Sequence, residues 1–300
     1  HFPLARVCDP IPDAAHVALL DETMALTKGL PEYKASADIR YYATRECVVR
    51  YLRAREWDVK ATIAQLSESF QWRIRAKPDR LTAKEMEEEG CTGKIRVAGL
   101  DQFGRPVLVL DNTAENTKDS AKHMQYLAFC MERAARMCVA PVSKFVVVVK
   151  LQQFSLRGQP PWSETKETMR ILQNEFPERA GHLIVYRAPW IFGSLYTCVK
   201  PFLSDVTKSK VVFIKGDVKE GGPNDQRMKE IIGKTWKTLL CEGNDLAPTP
   251  KGTSKGYNHK QHWPSVVQFE KEYWARRDAA QGVPEEGEEQ APQEQKADYC

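Results

Sequence analysis

FPERAGHLIVYRAPWIFGSLYTCVKPFLSDVTKSK, residues Phe176–Lys210, changes period partway along, and that change decides how the chain reads. After a polar turn, His182–Tyr186 is a short run of branched and aromatic residues bounded by Gly181 and Pro189. It predicts a buried strand. From Trp190 onward, Ile191, Leu195, Val199 and Phe202 recur every three or four residues, which predicts a helix over Trp190–Leu203. Trp190, Phe192 and Tyr196 lie elsewhere on that helix, and a charged turn follows. An ordinary core helix has the same stripe, so the pattern alone assigns no role.

The same alternation of strand and helix continues on both sides. Further strands are expected at Lys94–Ala98, Val107–Asp111, Phe145–Leu151 and Val211–Lys215. Helices are expected at Ala121–Cys138 and Glu164–Asn174. Strands separated by helices of this length predict an α/β fold with a largely parallel sheet. Phe145–Val149 is apolar on both faces and is the expected central strand. Before the sheet, residues 1–37 hold one helix at Asp13–Lys28. Val59, Ile63, Leu66, Phe70 and Ile74 mark the inner face of another, N-capped by Asp58. Glu85–Glu89 reads as a solvated face. Beyond Lys219, one helix is expected near Gln226–Leu240 and a terminal one at Ser265–Arg277.

With 300 residues, 42% hydrophobic and 28% charged, the chain suits one large domain or two closely packed ones. Its charge of +4 is uneven. Residues 284–300 hold six acids and Lys296, a net of −5, which leaves +9 on residues 1–283. That basic body favours an anionic membrane surface or a phosphate ligand. No zinc-finger spacing, RNA-recognition signature or lysine block supports a nucleic-acid partner. The eight cysteines show no Cys-x-x-Cys pair, which suits free thiols in a reducing compartment. No stretch approaches the roughly 20 apolar residues of a membrane span.

Three segments in order resemble the CRAL-TRIO lipid-binding family, and most of all its phosphatidylinositol-transfer branch. They are Tyr51-Leu-Arg-Ala-Arg-Glu-Trp-Asp58, with a helix ending Gln71-Trp-Arg73; the hairpin Asp101-Gln-Phe-Gly-Arg-Pro-Val107; and Phe176–Lys210. The resemblance runs from about Asp38 to Lys215. It implies a helical lobe at 1–90 and a CRAL-TRIO lobe at 91–250, with a mainly parallel five-stranded sheet and a gating helix over a lipid cavity. A loop and helix at 251–283 and a disordered acidic tail at 284–300 complete the expected organisation.

A lipid carrier has two opposed problems. Exposing two acyl chains costs about 0.8 kcal/mol per CH₂, roughly 25 kcal/mol for some 30 methylenes, so the tails must be enclosed. The lid implied by the resemblance is Trp190–Leu203, with Trp190, Ile191, Phe192, Leu195, Tyr196, Val199 and Phe202 available to enter a membrane surface. The anionic, hydroxyl-rich headgroup instead needs charged and hydrogen-bonding partners. By the family's pattern these are Arg55, Glu178, Thr207 and Lys210: Thr207 and Lys210 on phosphate, Glu178 on inositol hydroxyls, Arg55 as a tether from the first lobe. An Arg55–Glu178 salt bridge between lobes is the competing reading. In relatives that also carry phosphatidylcholine, two Tyr, a Ser and a Thr line the choline-phosphate position. By motif register Val97, Leu108, Phe145 and Val147 stand there, an apolar lining that should reject that lipid.

The expected protein is therefore a non-enzymatic carrier, cytoplasmic and transiently peripheral on membranes, monomeric, with no cofactor beyond bound lipid. Its expected partners are phosphatidylinositol, a second apolar lipid and, by resemblance, a phosphatidylinositol kinase. The alternative is a scaffold that senses a sterol, a polyisoprenoid or haem without transferring it; haem would need His or Tyr where Phe145 and Val147 stand. Cys130–Arg136 has the Cys-x₅-Arg spacing of a phosphate loop but lacks glycine and reads as helix. His259 and His262 read as part of a surface loop that packs Tyr257 and Trp263 onto the body. No metal site and no catalytic triad is expected.

Overall fold

The computed structural model describes residues 6–151, 162–189, 193, 196, 197, 200, 205–242 and 252–281. Helices α1 (Ala14–Gly29), α2 (Pro31–Ala35), α3 (Ala37–Tyr42), α4 (Arg45–Ala54), α5 (Val59–Ala76) and α6 (Ala83–Gly90) precede the sheet. Asp13, Ser36, Thr44, Asp58 and Thr82 each accept a backbone N–H at a helix start. Such caps satisfy donors that the helix itself cannot. Leu20, Ile39, Val48, Leu52, Leu66 and Phe70 form the core of this lobe. The predicted stripe on α5 holds through Phe70. Ile74 is then exposed, and Arg73 takes the next buried place, facing the second lobe.

The sheet runs in the order β1 (Ile95–Leu100), β2 (Pro106–Asp111), β3 (Phe145–Lys150), β4 (Ala180–Ala188), β5 (Val211–Lys215). The hairpin β1–β2 is antiparallel and the other pairs are parallel, with β3 in the centre as its apolar run Phe145–Val149 requires. Alternate residues serve two cores. Val107, Val109, Val146, Val148, Ile184, Tyr186 and Ile214 pack on α10 (Pro223–Ile231) and α11 (Trp236–Leu239). Val97, Leu108, Phe145 and Val147 pack the other way, with Met86 of α6, Tyr126, Cys130 and Met131 of α7 (Ser120–Met137), and Trp263 and Val266 of α12 (His259–Gln281).

Several expectations are corrected by packing. The helix expected near Gln226–Leu240 is two, broken where Gly233 takes a φ of +111°. The helix expected at Glu164–Asn174 is α8 (Trp162–Arg170), continued by a π-helical turn at Ile171–Glu175. His259 and His262 belong to the start of α12, not to a loop. Burial of Tyr257 and Trp263 fixes that start, and Gly90 leaves no room for a Cβ beneath the Trp263 ring. Glu89 is no solvated residue: it is fully buried, with Lys94 at 2.5 Å. The predicted lid residues Trp190, Ile191, Phe192, Leu195, Val199 and Phe202, and the acidic tail, lie outside the described residues. Of the lid, Tyr196 sets its ring edge-on to Phe213 of β5, centroids 5.0 Å apart.

The lobes are joined by a buried polar seam. Arg73 donates to Glu132 of α7 at 2.6 Å and lies 3.4 Å over the Tyr42 ring. Gln65 and Tyr42 donate to the carbonyls of Asn174 and Glu175, at the end of the π turn, where a helix leaves acceptors unsatisfied. Burial opposes ionisation of Glu132, but Arg73 and Arg136 outweigh it and hold the carboxyl below its usual range. Glu132→Ala would strand the Arg73 charge. It should cost about 3 kcal/mol, read as a lower urea midpoint at unchanged slope, whereas an apolar R73M/E132L pair should cost far less.

Candidate functional site

Three parallel strands begin side by side, and each is preceded by a charged residue. Lys144 stands just before β3, Glu178 two residues before β4, and Lys210 just before β5. The ladder fixes their proximity: the Phe145 N–H donates to Arg179 O and the Leu183 N–H to Lys210 O. Glu178 Oε2 thereby lies 3.3 Å from both the Lys144 and the Lys210 ammonium nitrogens. Lys144 also donates to the Glu178 carbonyl at 2.9 Å. Glu178 has a φ of +58°, a conformation unusual for a side chain with a Cβ, which turns the chain sharply into β4.

The pair extends into a chain of charges. Lys144 is 3.0 Å from Asp9 Oδ1, and the same oxygen is 3.0 Å from Arg53 of α4. Arg6 donates to the Ser209 carbonyl beside Lys210. Four cations thus surround two carboxylates, and the ionisation follows that imbalance. Burial works against both carboxylates, but Lys210 and Lys144 still hold Glu178 below its usual range, and Lys144 and Arg53 do the same for Asp9. Lys210 is also held low, by burial first and by Lys144 and Arg6 as like charges, despite Glu178. Burial therefore outweighs the Glu178 pairing at Lys210, and the neighbouring cations act in the same direction.

Of the four residues expected at a headgroup, the structure brings Glu178 and Lys210 into direct contact. Thr207 is half-buried on the short helix α9 (Asp205–Ser209), its carbonyl accepting the Lys210 N–H at 3.0 Å. Arg55 stands apart, exposed at the C-cap of α4, and among the described residues its side chain forms no ion pair. Arg53, two residues earlier, is the α4 cation that joins the cluster. Lys144 and Asp9 were not singled out in the sequence. Lys144 had one signal, its place directly before the central strand, which mirrors that of Lys210 before β5. Asp9 had none.

Arg105 and His182, close by, are partnered within the protein. Arg105 forms a buried 2.7 Å pair with Asp101 and donates to His182 Nδ1 at 2.9 Å. Because guanidinium only donates, His182 accepts there and is neutral; burial, then Arg105 and Arg6, lower it to about 3. The apolar set behaves differently. Val97 pairs with Leu108, and Leu108 with Val147, across adjacent strands, so with Phe145 all four share one face and are at most 2% exposed. Among the described residues no helix is long and apolar enough to cross a membrane.

Comparison with known proteins matches residues 91–233 to the CRAL/TRIO domain and residues 22–68 to the CRAL/TRIO N-terminal domain. A CRAL-TRIO domain-containing protein of Schizosaccharomyces pombe is 29% identical over 77% of this chain. The Saccharomyces cerevisiae phosphatidylinositol transfer protein PDR17 is 30% identical over 76% of it, and the Eremothecium gossypii phosphatidylinositol transfer protein CSR1 26% over 62%. The chain spans 21%, 63% and 46% of these relatives' own lengths. Among solved structures, the crystal structure of Sfh5 superposes with a TM-score of 0.58, covering 91% of this chain and 100% of that one, at 11% identity. Helical lobe, five-stranded sheet and both domain matches agree: the chain belongs to the CRAL-TRIO lipid-binding family.

Proposed function

We propose that this chain binds phosphatidylinositol and exchanges it with a second, apolar lipid between membranes, without covalent chemistry. The reading rests most on one observation, the Glu178–Lys210 contact where β4 and β5 begin, beside Thr207. A phosphodiester suits Lys210 and the Thr207 hydroxyl, and inositol hydroxyls suit the Glu178 carboxylate as an acceptor. Arg55 is assigned as a tether that reaches the headgroup when lipid is bound. Two relatives named as phosphatidylinositol transfer proteins support the ligand class. The apolar face Val97, Leu108, Phe145 and Val147 is packed in this structure against α6, α7 and α12. It is assigned to acyl chains or a sterol-like guest that enters as that packing opens, and it leaves choline phosphate unpaired at a cost of several kcal/mol. Trp190–Leu203 is assigned as the gating helix, and presentation of phosphatidylinositol to a lipid kinase at a cytosolic membrane face is part of the same reading.

The test is transfer of labelled lipid between vesicles. Thr207→Asp with Lys210→Ala should abolish phosphatidylinositol transfer and leave release of an apolar guest intact; persistence of the transfer would dismiss the headgroup assignment. Lipids co-purifying from a eukaryotic host should include phosphatidylinositol and lack phosphatidylcholine. Abundant phosphatidylcholine would instead overturn the register placed on Val97–Val147.

Ionisation adds a sign. Glu178 is held below its unfolded value, so its contribution to stability is present above about pH 4.3 and is lost as pH falls through its folded value. Thermal midpoints measured from about pH 6 down to about pH 3 should fall less steeply for Glu178→Gln than for the unaltered protein.

A further inference from the structure

The segment Arg6–Pro10 lies across the charged cluster and is built into it at every step. The Val7 carbonyl accepts the N–H groups of Ser143 and Lys144 at 3.1 and 3.2 Å. The Arg6 carbonyl accepts from Arg105, and the Arg6 guanidinium donates to Ser209. Pro10 offers its carbonyl to Arg53. The segment rests directly on β4 at Gly181, where an added Cβ would lie 2.2 Å from the Arg6 carbonyl oxygen. In the middle of the segment, the Asp9 carboxylate bridges Lys144, whose side chain is 3% exposed, and Arg53, at 12%.

We propose that Lys144 and Arg53 form an anion subsite beside Glu178 and Lys210, that Asp9 occupies it in cis, and that a ligand phosphate enters when the Arg6–Pro10 strap lets go. Three observations converge on this. A carboxylate held by two largely buried cations is a chemical stand-in for a phosphate oxygen pair. The subsite is continuous with the headgroup residues, because Lys144 touches Asp9 and Glu178 with one ammonium group. The cluster also carries more cations than carboxylates with Asp9 in place, so removing Asp9 without substitution would leave Arg53 without its carboxylate and Lys144 sharing Glu178 with Lys210. The incoming group is therefore a phosphate mono- or diester. The ligand assignment rests on the reading above; the strap itself does not.

The experiment uses the full chain and two variants that loosen the strap by unrelated means. Asp9→Asn removes the charge, and Gly181→Ala removes the space beneath Arg6. Both should raise affinity for glycerophosphoinositol, a soluble phosphodiester, by roughly fivefold or more, the scale of one half-buried ion pair. Adding Lys144→Met to Asp9→Asn should erase that gain. In the unaltered protein, saturating glycerophosphoinositol or inositol monophosphate should release hydrogen-exchange protection at the Ser143 and Lys144 amides, which the Val7 carbonyl now covers. Release by either soluble ester assigns the subsite to phosphate alone; release only with phosphatidylinositol vesicles assigns it to a membrane-held headgroup. Protection unchanged by all three, or weaker binding in both strap variants, would overturn the proposal and leave Asp9 a structural anchor. Should soluble esters release the strap while vesicle transfer of phosphatidylinositol is absent, the transfer reading falls and the strap stands.

Discussion

A guanidinium buried between two lobes constrains everything near it. Arg73 is buried, and Glu132 on one side and the Tyr42 ring on the other offset its desolvation. Removing either lobe would expose or strand the charge, so α5 and α7 must meet at one place and in one orientation. The Gln65 and Tyr42 hydrogen bonds to the end of the π turn fix the same junction from a second direction. This registration decides where α4 points, and α4 carries Arg53 and Arg55. The first lobe is thus a positioning device for cations that the sheet alone does not supply.

The sheet supplies the rest through parallelism. In three adjacent parallel strands the residues just before each start lie at one edge, a few ångströms apart, however far apart they are in sequence. Lys144, Glu178 and Lys210 meet for that reason. Open α/β sheets more often bind ligands at the carboxyl ends of their strands; this cluster stands at the amino ends, where the connecting turns are short and charged. The middle stretches of the same strands, Val146–Val149, Leu183–Tyr186 and Val211–Ile214, are apolar or aromatic on both faces, so polar and apolar requirements are separated by position along a strand.

This separation explains what the sequence revealed. The central strand is legible in four consecutive valines and α5 in its stripe and its Asp58 cap; Glu178 and Lys210 stand out only through the family resemblance, and no local pattern encodes their direct contact. The π turn was not legible, because Ile171–Glu175 has ordinary helical composition and departs only where partners from the first lobe take its carbonyls. Glu89 was misjudged because it sits in an acidic run, and burial there depends on Lys94 arriving from the next segment. Lys144 and Asp9, 135 positions apart, meet through tertiary packing that no local pattern encodes. Arg53 and Arg55 are two residues apart in one motif, and only the helix phase distinguishes which of them faces the cluster.

A cluster of buried lysines with few carboxylates is costly to leave without an anion, since desolvated ammonium groups without counter-charge disfavour the folded state. On the proposed reading the chain must nevertheless release an anionic headgroup at every cycle. If nothing replaced the phosphate, each release would expose that cost and slow itself. An internal carboxylate on a short segment removes the difficulty, because exchange becomes the substitution of one anion for another at constant charge. The strap need only be weaker than the headgroup, by an amount small enough for the two to alternate. The carboxylate is one of several ties, beside the Val7 carbonyl on Ser143 and Lys144, the Arg6 and Pro10 carbonyls on Arg105 and Arg53, and the Arg6 guanidinium on Ser209. The headgroup must therefore outweigh a set of hydrogen bonds worth about 1 kcal/mol each.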